Sequence, residues 1–282
     1  MSGETVDEAG QQGQFRDWPQ VGQVCRLGLA TRGNTSLEPE DVEHAVDQGI
    51  NYLNWCRHED GLQEWIRQSG FRREQFHVAV QFFSRSASEA RDELSACLDQ
   101  LGTDYIDVVT YYYVESESEW EQIVSTGGAA EAVEAARADG VVRSIGLTSH
   151  QRSLAAGWAG TGRLDSLMIR YNAAHRGAER DVFPEIRGRE IPVVAFTCLR
   201  WGGLLKSTPD DPDGFRPPSA ADCYRWVLCQ PAVSVALAAP DGREELDEIL
   251  SIVAPWQELS PLEQAAIRDH GDRVYRHGGG FP

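Results

Sequence analysis

Residues 101–113 have the sequence LGTDYIDVVTYYY, in which a helix ends and a strand begins. Gly102 follows an apolar helical stripe, and glycine is the residue that most often ends a helix. The run 105–113 is rich in β-branched and aromatic side chains and is apolar enough to be covered on both faces. The segment therefore predicts a helix followed by a buried strand of a parallel sheet.

The same unit repeats along the chain. Eight β-rich runs alternate with helical patterns, and they span residues 24–30, 50–54, 77–83, 105–113, 141–147, 166–170, 192–196 and 233–237. Pro39 and Gly49 mark the two ends of the first helix between them. Ser86 or Ser88 caps a later helix. Eightfold alternation of covered strand and helix predicts an α/β fold, a (β/α)8 TIM barrel rather than an open doubly wound sheet.

The predicted domain organisation is simple. Residues 1–20 are polar and show no periodicity, so we predict a flexible N-terminal arm. Residues 21–282 then form a single barrel domain. It ends in one extra C-terminal helix, which starts with Ser260 as N-cap and Pro261 in the first turn.

Composition limits the expected partners. The 282 residues include 26 basic and 44 acidic side chains, and the resulting charge of −18 repels a polyphosphate backbone, so nucleic acid is not an expected partner. There is no apolar run long enough to span a bilayer and no secretory signal, so we expect no membrane association and a cytoplasmic location. We expect a small-molecule substrate and a monomer or homodimer. An Arg-rich chain in which Lys206 is the only lysine is compatible with a GC-rich bacterial genome and with specialised metabolism.

The sequence does not support disulfide or metal chemistry. The six cysteines are scattered and form no CxxC pair, so they predict buried reduced thiols. The segment RHED (57–60) lacks the paired histidines of metalloprotease helices, so no metal site is predicted.

Five segments together resemble the aldo-keto reductase superfamily. They are HAVDQGINYLN (44–54), LGTDYIDVVTYY (101–112), GVVRSIGLTS (140–149), RYNAAHRGAERDVFP (170–184) and VVAFTCLRWGGLLK (193–206). The resemblance implies the barrel of that family and its chemistry, in which NADPH delivers hydride to a carbonyl and a tyrosine donates the proton. A Lys, an Asp and a His tune this tyrosine, because a phenol with a pKa of about 10 needs a neighbouring ammonium to act as an acid near neutrality.

None of the four residues of that tetrad is present where the resemblance implies it. The Asp, Lys and His of the family align with Asn54, Gln81 and Tyr112, and its Tyr falls within residues 58–60, which are HED. Loss of one member of a buried Asp–Lys pair would strand the other charge, at a cost of about 3–5 kcal/mol. Both members are neutral amides here. We infer a divergent barrel adapted to work without the tetrad, in which Asn54 and Gln81 hydrogen-bond to each other.

The resemblance implies that most of the nucleotide site is retained. Thr148 and Ser149 align with the Ser-Asn pair that holds the nicotinamide amide, although Met168 replaces the glutamine of the family. The aromatic that stacks on the nicotinamide and the loop that holds the pyrophosphate align with Phe196, Thr197, Leu199, Trp201 and Gly203. Arg243, beside two glutamates, stands where the family recognises the 2′-phosphate. We therefore expect NADPH as the cofactor.

Other residues are expected to replace the tetrad. The carboxyl ends of the strands meet at one mouth of a barrel, which would bring together Asn54, Trp55, Arg57, His58, Glu59, Gln81, Tyr112, Tyr113 and His150. His58 is the predicted general acid or base, because its ordinary pKa is about 6.5, and Glu59 or Asp60 would orient it. Tyr112 is a second predicted proton donor. Asn54 and Gln81 complete the predicted catalytic set, and the substrate pocket is predicted from Trp55, Arg57, Tyr113 and His150.

Three functions remain open on the sequence. The first is an NADPH-dependent oxidoreductase that acts on a small carbonyl or unsaturated metabolite with a non-standard proton donor. The second is a redox-neutral enzyme, such as a dehydratase, isomerase or cyclase, that uses the same cleft without hydride. The third is a non-catalytic binding protein on the same barrel, which the loss of the Asp–Lys pair also permits.

Overall fold

The computed structural model describes residues 13–31, 35–253 and 256–278. Its strands are β1 (Phe15–Trp18), β2 (Gly22–Cys25), β3 (Leu27–Ala30), β4 (Tyr52–Trp55), β5 (His77–Phe82), β6 (Ile106–Tyr111), β7 (Val142–Thr148), β8 (Ser166–Arg170), β9 (Val193–Phe196) and β10 (Val233–Ala238). Its α-helices are α1 (Pro39–Asp47), α2 (Gly61–Gln68), α3 (Ala87–Leu101), α4 (Glu117–Val124), α5 (Ala129–Ala138), α6 (Arg152–Ala159), α7 (Ala178–Asp181), α8 (Ala220–Leu228), α9 (Gly242–Leu250) and α10 (Pro261–His277). Short 3₁₀ helices span Gly70–Gln75 and Gly203–Leu205.

Strands β3 to β10 close into a barrel. Neighbouring strands are parallel and follow one another in chain order, and β10 pairs with β3 to complete the ring. The eight strands match the eight predicted runs, so the predicted (β/α)8 barrel is confirmed. The register aligns Gln81 with Thr110 and Thr148 with Met168. The carboxyl ends of the strands therefore form one rim, which we call the mouth.

Alternation along each strand decides which side chains face the barrel interior. The interior cluster contains Tyr52, Ala79, Val108, Met168, Val194 and Val235. Residues one position away, such as Val109, belong to the layer between the barrel and the helices. Side chains on a strand alternate with period two. Asn54 and Gln81, each two positions beyond an interior residue, therefore face the interior at the mouth.

The predicted helix ends are found at the predicted residues. The hydroxyl of Ser86 accepts a hydrogen bond from the backbone N–H of Glu89 and caps α3, and Gly102 ends this helix with a φ of 61°. At the start of α10, the side chain of Ser260 accepts the backbone N–H of Glu263, and the side chain of Glu263 accepts the backbone N–H of Ser260. This capping box begins the extra helix that follows the barrel, as predicted.

A hairpin of β1 and β2 covers the end of the barrel opposite the mouth. Trp18 is only 1% exposed, packs among the interior residues and stacks on Tyr52 with ring centroids 5.7 Å apart. Its indole N–H donates to the hydroxyl of Ser144 at 3.2 Å. The prediction of a flexible arm is therefore wrong for residues 13–20, and residues 1–12 lie outside the described residues. A four-residue strand carries too little periodicity to be recognised, and burial of one large ring holds it in place.

Replacing Trp18 by phenylalanine tests this closure. We expect the free energy of unfolding to fall by about 1–2 kcal/mol, because the smaller ring leaves part of the space empty and the Ser144 hydroxyl loses its donor. Urea unfolding of Trp18→Phe, Ser144→Ala and the double variant measures the two contributions. Unchanged stability in all three would contradict the assigned role of the hairpin.

Most cysteines are structural. Five of the six are buried, as predicted. Burial raises the pKa of Cys25, Cys97 and Cys223 to about 12, so these thiols stay protonated and unreactive near neutral pH. None of the helices in the described ranges is long and apolar enough to cross a membrane.

Candidate active site

Backbone strain collects at the mouth. Within the described ranges, five residues other than glycine have a positive φ, between 45° and 70°, and they are Arg57, Tyr113, Thr197, Arg200 and Trp201. All five lie in loops that follow barrel strands at their carboxyl ends. Such a backbone costs about 1–3 kcal/mol per residue and persists only where the surroundings enforce it. The mouth is thus the part of the molecule where conformation is held against local preference.

Asn54 and Gln81, which the family resemblance aligns with an Asp and a Lys of the tetrad, lie around a thiol. The Asn54 Nδ2 atom lies 3.3 Å from Sγ of Cys56, and the Gln81 Nε2 atom lies 3.4 Å from the same sulfur. Asn54 and Gln81 are 1% and 3% exposed. The predicted direct pairing of the two amides is therefore corrected, because both donate to the sulfur. The sequence signal was the cysteine two residues after Asn54, and sequence reasoning missed it.

Tyr112 lies in an aromatic stack at the end of β6. Its ring centroid is 4.0 Å from that of Tyr113 and 4.9 Å from that of Phe83. The guanidinium of Arg85 donates to the Tyr112 carbonyl oxygen at 2.7 Å. The side chain is 9% exposed. The predicted role of Tyr112 as a proton donor stays a prediction.

His58 and Glu59 lie apart from these residues. Both are exposed, and they line an acidic groove of about 710 Å³ together with Thr31, Thr35, Ser36, Leu37, Glu38, Asp60, Gly61, Gln63, Glu64 and Arg67. Gln81, Tyr112 and His150 do not line it. Asp60 does not orient His58, since its carboxylate accepts the backbone N–H of Gln63 and the hydroxyl of Thr31. The structure therefore does not bring all nine predicted residues into this groove.

Two residues predicted for the substrate pocket serve the scaffold. Trp55 is 1% exposed and faces the layer under the helices, because it is one position out of step with interior-facing Asn54. Arg57 bonds to Glu93, which also accepts the backbone N–H groups of Phe83 and Ser84. Arg57 thus links two loops of the mouth. The prediction that Trp55 lines the substrate pocket is corrected, because its side chain faces the helices.

The end of β7 carries two buried polar atoms without partners. Thr148 is 0% exposed. Its Oγ1 and Nε2 of His150 are buried, and neither has a hydrogen-bond partner among the described residues. Ser149, between them, uses its hydroxyl to accept the backbone N–H of Gln151 at 2.9 Å. An unpaired buried polar group costs about 1–3 kcal/mol, so these two atoms are available to a bound molecule or water.

His150 is held by a carboxylate that sequence reasoning missed. Its Nδ1 lies 3.3 Å from Oε1 of Glu115. Burial and the positive charge of Arg170 lower the pKa of His150, and Glu115 raises it in part, so that the net shift is downward. The imidazole is therefore mainly neutral near pH 7.

Three arginines lie close enough to His175 to lower its pKa. Burial and the charges of Arg200, Arg170 and Arg152 lower the pKa of His175 to about 4. Arg170 ends β8, in register with Phe196 of β9. In a chain of net charge −18, these three arginines lie near the strand ends, and Arg152 pairs with Asp181 at 2.9 Å. Sequence reasoning named none of these arginines.

The loop after β9 contains the predicted pyrophosphate residues. Phe196 is half-buried, and its ring centroid lies 6.2 Å from that of His150. The carbonyl of Thr197 accepts the side-chain amide of Asn172 at 2.8 Å. Trp201 is 67% exposed, and Leu199 and Gly203 are half-buried. These residues follow one another around the rim beside β7 and β8.

Arg243 is already paired. Its Nε lies 2.7 Å from a carboxylate oxygen of Asp41, and its Nη2 donates to the carbonyl of Glu40 at 3.2 Å. Nearby, the backbone N–H of Asp241 donates to Glu245 at 2.8 Å. A phosphate at this end of the rim would meet carboxylates and would have to displace Asp41. The described residues therefore fit a nicotinamide at β7 better than a 2′-phosphate at α9.

Comparison with known proteins agrees with this geometry. The profile of the Aldo/keto reductase family matches residues 27–268. The uncharacterized oxidoreductase YrpG of Bacillus subtilis (strain 168) is 23% identical over 326 aligned positions, which cover 92% of this chain and 95% of the relative. The NADH-specific methylglyoxal reductase of Escherichia coli (strain K12) is 22% identical over 182 positions, 64% of this chain and 50% of the relative.

Solved structures share the fold. The apo form of aldo-keto reductase AKR11C1 from Bacillus halodurans superposes with a TM-score of 0.74 at 19% identity, covering 91% of this chain and 95% of that one. An aldo/keto reductase from Klebsiella pneumoniae in complex with NADP and acetate gives 0.72 at 19% identity, with 92% and 95% covered. At this identity the likeness concerns the barrel alone.

Proposed function

Because the chain belongs to the aldo/keto reductase family, we propose that it is an oxidoreductase that binds a nicotinamide dinucleotide at the mouth and acts on a small carbonyl compound or the corresponding alcohol. When bound, the nucleotide supplies or removes hydride. The proton is exchanged by a residue other than the tyrosine of the family, since that position holds none. The proposed reaction class is supported by membership of the family and by the hydroxyl of Thr148 at the end of β7, which no described residue pairs.

One observation carries the proposal. Oγ1 of Thr148 is buried without a hydrogen-bond partner within the described ranges, at the strand end where the family holds the nicotinamide amide. A primary amide offers both donor and acceptor to such a hydroxyl. Phe196, on the adjacent side of the mouth, would stack on the nicotinamide ring. The rim from Thr197 to Gly203 would hold the pyrophosphate, with Arg200 and Arg170 supplying positive charge.

The adenosine end favours NADH over NADPH. Arg243, which the sequence analysis linked to the 2′-phosphate, pairs with Asp41 at 2.7 Å. Freeing it would leave a partly buried carboxylate without its cation, and Glu244 and Glu245 follow directly. A ribose 2′-hydroxyl can instead donate to a carboxylate. An NADH-specific relative supports the same choice.

Calorimetric titration of the protein with NADH and NADPH tests the proposal. We expect NADH to bind and NADPH to bind more weakly. If neither NADH nor NADPH binds, the proposed function is refuted. A panel of small aldehydes and ketones that includes methylglyoxal, named for one relative, then identifies substrates by loss of NADH absorbance.

Thr148→Val is a matched test of the contact that carries the proposal. We expect NADH affinity to fall about fivefold to tenfold, which corresponds to loss of one hydrogen bond of about 1 kcal/mol. Stability should not decrease, because no described residue pairs with the hydroxyl that is removed. Thr161→Val, which removes a hydroxyl bonded to Trp158 outside the mouth, should leave affinity unchanged. Equal affinity in both variants would contradict the assigned contact.

A redox-neutral enzyme is the second candidate. The observation that favours it is the pair of amides around Cys56, where the reductive tetrad would stand. A redox-neutral reaction would proceed in protein from which the nucleotide has been removed. Turnover of a panel compound without NADH or NADPH would therefore select the second candidate over the first.

A further inference from the structure

A carboxylate fixes the histidine at the end of β7. Oε1 of Glu115 lies 3.3 Å from Nδ1 of His150 and accepts the backbone N–H of the same residue at 2.9 Å. Glu115 is itself placed by a hydrogen bond from its backbone N–H to Glu119 at 2.7 Å. A carboxylate at Nδ1 favours the tautomer that carries hydrogen on this nitrogen. The main chain and the ring of His150 are thus oriented together.

The other ring nitrogen is left as an acceptor. Nε2 of His150 is buried, and no atom of the described residues pairs with it. The hydroxyl of Thr148, the last residue of β7 and two positions before His150, shares this property. Leaving a buried nitrogen unpaired costs folding free energy, so Nε2 is available to accept a hydrogen bond from a bound molecule or water. A base oriented by a carboxylate and open at its second nitrogen is the arrangement that general acid–base catalysis requires.

The aromatic rings around the imidazole of His150 lie at the mouth of the barrel. The His150 ring lies 4.4 Å from the ring of Tyr113 and 6.2 Å from that of Phe196, measured between centroids. Tyr113 follows Tyr112, the residue aligned with the histidine of the family tetrad. An imidazole is therefore still present at this wall, one strand further along the barrel. The charged and titratable groups that face it are Glu115 from the loop after β6, Tyr113 and Arg170 from β8.

We propose that His150 exchanges the proton with the substrate oxygen, in place of the tyrosine of the family. This inference rests on the proposed function. In reduction, the Nε2–H bond of the imidazolium breaks and an O–H bond forms on the former carbonyl oxygen. In oxidation, the Nε2 lone pair takes the hydroxyl proton, and Glu115 stabilises the imidazolium that results. The hydride is exchanged with the nicotinamide nucleotide in both directions.

A histidine NMR titration of nucleotide-free protein tests the dyad without turnover. With ¹⁵N-labelled histidine, and His150→Gln to assign the signal, we expect the Nδ1–H tautomer and a pKa below the usual 6.5. Glu115→Gln should lower this pKa further, because the carboxylate raises it, and Arg170→Gln should raise it. An Nε2–H tautomer, or a pKa that neither variant moves, would overturn the inference.

Turnover of the fastest panel carbonyl tests the proton transfer. We expect kcat/KM of His150→Gln to fall by about 10²-fold or more while NADH affinity is retained. Reduction needs the imidazolium, so its rate should fall as pH rises through the His150 pKa, with the inflection moved to lower pH in Glu115→Gln. His44→Gln, at a histidine bonded to Asp247 between α1 and α9, should behave as wild type.

The two proposals can fail separately. Bound NADH with full turnover in His150→Gln would overturn the role of His150 and leave the proposed function standing. If the wild-type protein binds neither NADH nor NADPH, or binds a nucleotide but turns over no panel member, this would count against the proposed function itself. In that case the proton-exchange role falls with it, while the NMR titration still decides whether the dyad exists.

Discussion

Gln81→Lys alone is expected to lower the free energy of unfolding by about 3–5 kcal/mol, because it buries an ammonium without a partner. Gln81 is 3% exposed. The hydrogen bond that the structure gives for its side chain goes to the sulfur of Cys56. Asn54→Asp should cost a similar amount for the opposite charge. The double variant restores the ion pair of the family, and we expect it to regain most of the stability lost by either single change.

Urea unfolding of the four proteins measures this coupling. The double variant should be more stable than the sum of the single effects predicts, by about 3 kcal/mol or more. A conservative amide exchange, Gln81→Asn, leaves the charge unchanged and serves as the control for altered packing. Additive single effects would contradict the inference that the two amides replaced an ion pair together.

Asp107→Asn is expected to destabilise the barrel by about 3–5 kcal/mol, because it removes the charge that compensates buried Arg73. Asp107 is 0% exposed, and its carboxylate accepts Arg73 at 2.7 Å, the backbone N–H of Val78 at 2.8 Å and Arg143 at 3.0 Å. The site lies near the start of β6, at the end of the barrel opposite the mouth. Affinity for NADH should therefore be retained in whatever fraction remains folded.

The loss of stability in Asp107→Asn should depend on pH in a direction that follows from the pKa of Asp107. Burial opposes ionisation of Asp107, but the His77 ring 3.5 Å away, the charge and hydrogen bond of Arg73 and the backbone N–H of Val78 outweigh it and hold the pKa below its usual range. A depressed carboxyl pKa contributes stability above the unfolded value of about 3.9, and this is lost as pH falls through the folded value. The gap between wild type and Asp107→Asn should thus be constant near neutrality and shrink in acid.

Asp104→Asn is the matched control for the Asp107 experiment. Asp104 lies three residues earlier and is exposed, so its substitution should change stability by no more than about 0.5 kcal/mol. Equal effects of the two substitutions, measured by urea unfolding between pH 3 and pH 7, would contradict a special role for the buried carboxylate.

The barrel could be predicted from local patterns. The eight strands, the helix end at Gly102 and the cap at Ser260 each depend on a few adjacent residues, and all were found as predicted. The identities at the tetrad positions could also be assigned, because the family motifs follow the strands in order. The prediction that Asn54 and Gln81 replace an Asp–Lys pair needed no coordinates.

The partners of those residues depended on the tertiary structure. Trp18 reaches Ser144 across 126 residues, and Arg243 reaches Asp41 across 202. Neither contact leaves a periodic signal, so an apparent arm proved to be a barrel cap and an apparent phosphate ligand proved to be paired. His58 and His150 looked alike as loop histidines. Only the closure of the barrel decided that one lies in an exposed groove and the other beside Glu115, because these neighbours come from different strands.

The sequence by itself thus determined the fold and the family, since periodicity, caps and motif order are local properties of the chain. The tertiary structure decided which polar atoms are paired and which are not. Burial and pairing are properties of the packed barrel. Strand alternation turned Trp55 outward, and packing at the end of β7 left Thr148 and His150 with buried polar atoms that no described residue pairs. That distinction is what moved the predicted proton carrier from His58 to His150.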